Sequence, residues 1–141
     1  MTASTQLKSP LRAILEFLEL DADDKALLNA NQDAYRITFE HHFVIELVEL
    51  PDQACRVSAR ICLMGKSLSA QENQLLKAMQ LYCEVQTEAP EGSSLSVSDH
   101  DGCLRHVIEI GPSETAERCA GQFQNFLNFS FVFKKTFLEK S

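Results

Sequence analysis

The spacing of apolar residues changes along this chain, and each change marks an element. Leu11, Ile14, Leu15 and Leu18 recur at i, i+3, i+4 and i+7, a single stripe of an amphipathic helix. Ser9 at the N-cap and Pro10 at the first helical position predict its start. The acidic stretch Asp21-Ala22-Asp23-Asp24 ends it. Residues 20–33 have no clear period, and Ala26-Leu27-Leu28 fits either a helical turn or a covered loop. From Tyr35 the period falls to two. Tyr35, Ile37 and Phe39 alternate with Arg36, Thr38 and Glu40, the pattern of a half-buried strand. Phe43–Leu50 reads as a second strand, apolar on both faces except at Glu46 and Glu49. Both its faces therefore need cover, from the helices or from another chain. A third strand spans Arg56–Met64, where Val57, Ala59, Ile61 and Leu63 alternate with more polar neighbours. His41-His42 and Pro51-Asp52-Gln53 fall at the turns between them.

The register of the second and third strands follows from matching their faces. Pairing Leu50 with Arg56 across a five-residue loop sets Phe43, Ile45 and Leu47 opposite Leu63, Ile61 and Ala59, and Glu46 opposite Arg60. A slip of one residue would destroy both matches.

A helix is predicted from Ser69, whose side chain forms a capping box with Glu72, and its stripe is Leu75, Leu76, Met79, Tyr82 and Cys83. Residues 86–94 form a polar loop. Leu95 and Val97 open a fourth strand, Asp99-His100-Asp101-Gly102 is a hairpin turn, and the fifth strand runs from Cys103 to Ile110 with Leu104, Ile108 and Ile110 on one side. The last helix starts at Pro112-Ser113. Its early Glu114 and Glu117 and late Lys134, Lys135 and Lys140 suit the helix dipole. Cys119, Phe123, Phe126, Phe133 and Phe137 share a narrow arc of it. Phe129–Phe133 also alternates at period two and fits a strand, but helix is the favoured reading. The expected architecture is α+β, in the order α-β-β-β-α-β-β-α, with a twisted antiparallel sheet packed with helices and one domain over residues 1–141.

Charge narrows the function. The net formal charge is −7, and residues 1–53 carry four basic and ten acidic side chains. Such a chain repels polyanions, which disfavours nucleic acid and anionic membrane surfaces as partners. No apolar run approaches a membrane span, and the first residues lack a secretory pattern, so no membrane insertion and a cytoplasmic location are expected. The five cysteines include no C-x-x-C pair and read as reduced, packed thiols.

Motifs that would carry catalysis are incomplete. Gly65-Lys66-Ser67 resembles the end of a phosphate-binding loop, but Arg60 stands where the loop needs its first glycine. Asp99-x-Asp101-Gly102 resembles part of a calcium loop, but Ile110 occupies the position of the bidentate glutamate. Adjacent His41 and His42 point to opposite faces of an extended chain and chelate one ion poorly. His100 and His106 read as turn and surface histidines. No catalytic residue, metal ligand or cofactor is assigned. The rival reading is a small enzyme or ligand-binding domain using Cys103, His106 and His100.

The element order, small size and acidity resemble the class I type III secretion chaperones, the Tir-chaperone-like group. The resemblance is carried locally by the helix Leu11–Leu18, the strand Tyr35-Arg36-Ile37-Thr38-Phe39, the strand end Ile61-Cys62-Leu63-Met64-Gly65 and the apolar terminal helix. It covers nearly the whole chain, but none of these patterns is a signature motif. It implies a non-enzymatic, cytoplasmic bacterial homodimer that binds the N-terminal segment of a secreted effector, keeps it soluble and secretion-competent, and uses no nucleotide. It also implies the secretion ATPase as a further partner. By position, it implies a dimer interface at Leu75, Leu76, Met79 and Tyr82, and effector binding at Leu11, Ile14, Leu15 and Leu18.

Overall fold

The computed structural model describes residues 9–18, 26–27, 34–39, 42–98, 101–112 and 115–140. The elements are α1 (Pro10–Phe17), β1 (Ala26–Leu27), β2 (Ala34–Phe39), β3 (Phe43–Glu49), β4 (Cys55–Leu63), α2 (Leu68–Val85), β5 (Ser94–Val97), β6 (Cys103–Ile110) and α3 (Ala116–Lys140). The α+β order is as expected, with one addition. Ala26–Leu27, open between turn and loop in the sequence, is a two-residue strand paired with Tyr35 and Arg36. The sheet is antiparallel throughout, in the order β1-β2-β3-β4-β6-β5. Phe129–Phe133 is helical, inside α3.

All three helices pack on one face of this sheet. Leu11, Ala13 and Ile14 of α1 join Ile45, Leu47, Val57, Ile108, Ile110 and the Cys119, Phe123 and Phe126 face of α3 in one cluster. Ala78 and Leu81 of α2 join Ile61, Met64, Leu104, Phe133 and Phe137 in a second. The long α3 thus spans both clusters, its five predicted arc residues all buried. The first and second helices do not cover the opposite face of β3, which the sequence left to them or to another chain. That face carries a network of long charged side chains. Register places Arg36 opposite Glu46 and Arg60 opposite Arg105. Two facing arginines would repel. Glu46 and Asp101 offset this: each pairs with Arg105, and each lies within 3.9 Å of Arg60. Glu46 also accepts from Arg36 at 3.4 Å.

The β3–β4 register differs from the expected one by two residues. Ile45 faces Ala59, Leu47 faces Val57 and Glu46 faces Ser58. The turn is shorter than five residues: the Leu50 N–H donates to the Ala54 carbonyl at 2.8 Å, and the Ala54 N–H donates to Asp52 Oδ1 at 3.1 Å. Gln53 takes a left-handed φ of 71° to close it. A two-residue shift keeps every side chain on its own face, so face matching alone could not detect it. Arg60 still reaches Glu46, diagonally.

Helix starts also move. Ser67, not Ser69, caps α2 by accepting the Ala70 N–H at 3.1 Å, so Ser69 and Glu72 lie within the helix and form no capping box. Thr115 accepts the Arg118 N–H at 3.2 Å, and α3 begins at Ala116 rather than Ser113, which lies outside the described residues. The start of α1 is as expected, with Ser9 at the N-cap position and Pro10 first in the helix, but the Ser9 hydroxyl donates to Glu49 at 3.3 Å rather than accepting a helix N–H.

Candidate functional site

Helix α2 is held by its first turns. Gly65 N–H donates to Gln74 Oε1 at 2.6 Å, and a Cβ on Gly65 would stand 2.7 Å from the Ala70 Cβ. Glycine is required here by this close approach, so Gly65-Lys66-Ser67 serves as a strand-to-helix connection. Beyond it the helix has two distinct faces. Ala78 and Leu81 are buried, and Leu75 and Tyr82 pack partly against the same cluster. Tyr82 is anchored: its hydroxyl donates to the Ser93 carbonyl at 3.1 Å, and its ring meets Phe129 and Phe133 edge-on. Leu68, Leu76 and Met79 point the other way, 72%, 55% and 52% exposed, and Cys83 is exposed one turn beyond Met79. The four residues assigned to a dimer interface therefore divide into an inward pair, Leu75 and Tyr82, and an outward pair, Leu76 and Met79. Leu68 extends the outward pair and was missed in the sequence, where the cap was placed two residues too late.

Helix α1 divides in the same way. Leu11 and Ile14 lie in the core, and Leu15 and Leu18 pack partly against it. Arg12, Glu16 and Phe17 face outward. Of the four residues assigned to effector binding, two are thus committed to the chain's own interior. The exposed apolar side chain on this helix is Phe17.

Clefts border α3, two of them with apolar walls. One, of about 500 Å³, lies between the end of α2, the following Glu88–Pro90 segment and the Asn125, Asn128, Phe129 and Val132 side of α3. The other, of about 290 Å³, is lined by Phe43, Phe131, Lys134, Lys135 and Leu138. Phe131 packs edge-on against Phe43 at 5.5 Å. Phe131, Lys134, Lys135 and Leu138 are spaced i, i+3, i+4 and i+7, a stripe visible in the sequence but passed over because the buried phenylalanines formed a stronger one.

The Cys103–His106 pairing is not formed. Three residues apart on one strand, the two side chains leave on opposite faces of the sheet. His106 is a core residue, not a surface one. It is stacked on Phe126 at 4.6 Å, and its Nδ1 is 2.7 Å from Ser130 Oγ. Burial lowers its pKa to about 4, so it is neutral at pH 7. Burial raises the Cys103 thiol, with Asp101 adding to the effect. A protonated thiol is a poor nucleophile. His100 lies outside the described residues. Among the described residues, no three His, Cys, Asp or Glu side chains gather as metal ligands, and no helix is long and apolar enough to cross a membrane. Cys55, Cys103 and Cys119 are buried thiols, whereas Cys83 is exposed rather than packed.

No protein-family model matches the sequence, and no curated protein matches it. Solved structures do. A chain of the crystal structure of the ExsC–ExsE complex superposes with a TM-score of 0.56 at 13% identity, covering 89% of this chain and 90% of that one. A chain of the HopA1–SchA chaperone–effector complex superposes with a TM-score of 0.53 at 13% identity, with the same coverage. At such identity the likeness is one of fold, and it extends over nearly the whole chain.

Proposed function

We propose that this protein is a non-enzymatic type III secretion chaperone of the bacterial cytoplasm. Acting as one domain, it binds the N-terminal segment of a secreted effector and keeps that effector soluble and secretion-competent. The observation that carries the reading is the near full-length likeness of fold to a chain from a chaperone–effector complex. The geometry supports it in two ways. The outward stripe Leu68, Leu76 and Met79 gives α2 a face suited to a second copy of the chain. The clefts along α3, together with Leu15, Phe17 and Leu18 of α1, offer apolar seats for an extended partner, which could also add to a sheet edge. Leu11 and Ile14 then act from beneath, by fixing α1. The chemistry requires no cofactor, and a secretion ATPase is a further partner of the loaded complex.

The experiment is co-purification from the native organism, with mass spectrometry of the retained protein and mapping by truncation. Retention of one secreted protein, lost when its N-terminal segment is removed, is the expected result. Retention that survives that truncation, or no specific partner at all, contradicts the proposal.

A further inference from the structure

The smaller cleft beside α3 carries more information than an apolar hollow. Its walls are Phe43, Phe131 and Leu138, with the side chains of Lys134 and Lys135 among them. Phe131 and Leu138 are 38% and 48% exposed, so the apolar wall is open. Lys134 is half-buried. Its Nζ lies over the Phe43 ring, 5.6 Å from the centroid, and donates to the His42 carbonyl at 3.3 Å. Both contacts are with partial charges. Among the described residues no carboxylate comes within ion-pair distance of Lys134 or Lys135, and Glu139, four residues beyond Lys135, does not pair with it. The chain has 20 acidic and 13 basic residues, yet among the described residues this cleft brings together two cations without an anion. A partly desolvated ammonium whose partners among the described residues are a carbonyl and a ring face gains from a full negative charge brought to it. Burial lowers the Lys134 pKa, with Cys62 opposing the shift.

At about 290 Å³ the hollow falls just below the usual range of small-molecule sites, roughly 300–1,000 Å³, and has room for one large apolar side chain. We propose that it receives an apolar side chain of the partner's extended segment with an aspartate or glutamate next to it, whose carboxylate meets Lys134 and Lys135. This rests on the partner-binding reading above and adds a recognition rule: apolar beside acidic.

The probes are two short fluorescein-labelled synthetic peptides, one alternating leucine with aspartate and the other alternating leucine with lysine, titrated by anisotropy. The leucine–aspartate peptide is expected to bind and the leucine–lysine peptide not to bind. Lys134→Gln/Lys135→Gln should weaken the acidic peptide at least about tenfold. Equal binding of the two peptides, or undiminished binding by the double variant, overturns the rule. If the double variant melts early, Lys135→Glu at an exposed position replaces it, with the same loss expected and undiminished binding again decisive. The native partner is assayed separately. Full retention of that partner by the double variant refutes the cleft assignment while leaving the chaperone reading intact. Failure of the unaltered protein to retain any partner refutes the chaperone reading whichever peptide binds.

Discussion

Nδ1 of His106 on β6 lies 2.7 Å from Oγ of Ser130 on α3, joining sheet to helix between the two hydrophobic clusters. Both residues are fully buried, and the His106 Nε2 has no hydrogen-bond partner among the described residues. Ser130→Ala would leave the second ring nitrogen unpartnered as well, costing about 1–3 kcal/mol. His106→Leu/Ser130→Ala removes both polar groups and should recover most of that loss. Urea denaturation of the parent and the two variants checks this. A Ser130→Ala protein as stable as the parent would show that the bond contributes nothing.

The same histidine gives stability a pH dependence. Its pKa falls from 6.5 in the open chain to about 4 in the fold, because burial disfavours the cation. Above pH 6.5 neither state holds the proton, and the full stability is present. Between pH 6.5 and 4 the unfolded chain takes up a proton that the folded chain refuses, so stability falls, by about 3 kcal/mol over the whole window. Melting temperatures measured across that window should drop for the parent and drop less for His106→Leu. Parallel curves would exclude His106 as the source.

Gly65 tests the connection into α2. A methyl group there meets the Ala70 Cβ at 2.7 Å, on a helix whose start is also tied to Gly65 by Gln74. Gly65→Ala should destabilise by about 1–3 kcal/mol through overpacking. Thermal melting gives the answer, and an unchanged midpoint would mean that the helix start yields freely.

Glu46 is the hub of the exposed sheet face, 14% accessible and shared by Arg36, Arg60 and Arg105. Glu46→Gln removes the charge that separates Arg60 from Arg105. A loss of about 1–3 kcal/mol is expected, because Arg105 is itself only 12% accessible and would be left undercompensated. Glu109→Gln, in the exposed pair with Arg56, should change stability by less than about 1 kcal/mol. Equal effects of the two substitutions would show that the network behaves as ordinary surface charge.

On the proposed dimer reading, helix α2 separates assembly from folding. Leu76→Asp and Met79→Asp sit on its outward face and should convert a dimer to a folded monomer in light scattering, with little change in the monomer's circular dichroism. Leu81→Asp, on the buried face, should unfold the chain. A parent protein that is monomeric at micromolar concentration would remove the assembly role from this face.

The element order was legible in the sequence because each element carries its own period. What was missed had specific causes. The β3–β4 register was misread by two residues because the alternation of Ile45, Leu47, Val57 and Ala59 repeats every two, and the left-handed Gln53 that shortens the turn is not a glycine. His106 shares the parity of Leu104, Ile108 and Ile110, so its burial was readable, but a histidine on an apolar face was set aside as a surface residue. The stripe on α1 was read correctly, but the one on α2 was not: its buried residues are Ala78 and Leu81, whereas Leu76, Met79 and Cys83 are exposed, because the inward side of α2 depends on where α3 lies, which no local pattern encodes. Ala26–Leu27 was unreadable because two residues are too few for any period.

The central claim is that the chain keeps a secreted effector soluble and competent for export. Deleting its gene in the native organism, and measuring the partner in soluble cytoplasm and in culture supernatant, tests this most directly. The account predicts that both amounts fall and that restoring the gene restores them. Unchanged solubility and unchanged secretion of the partner would contradict it.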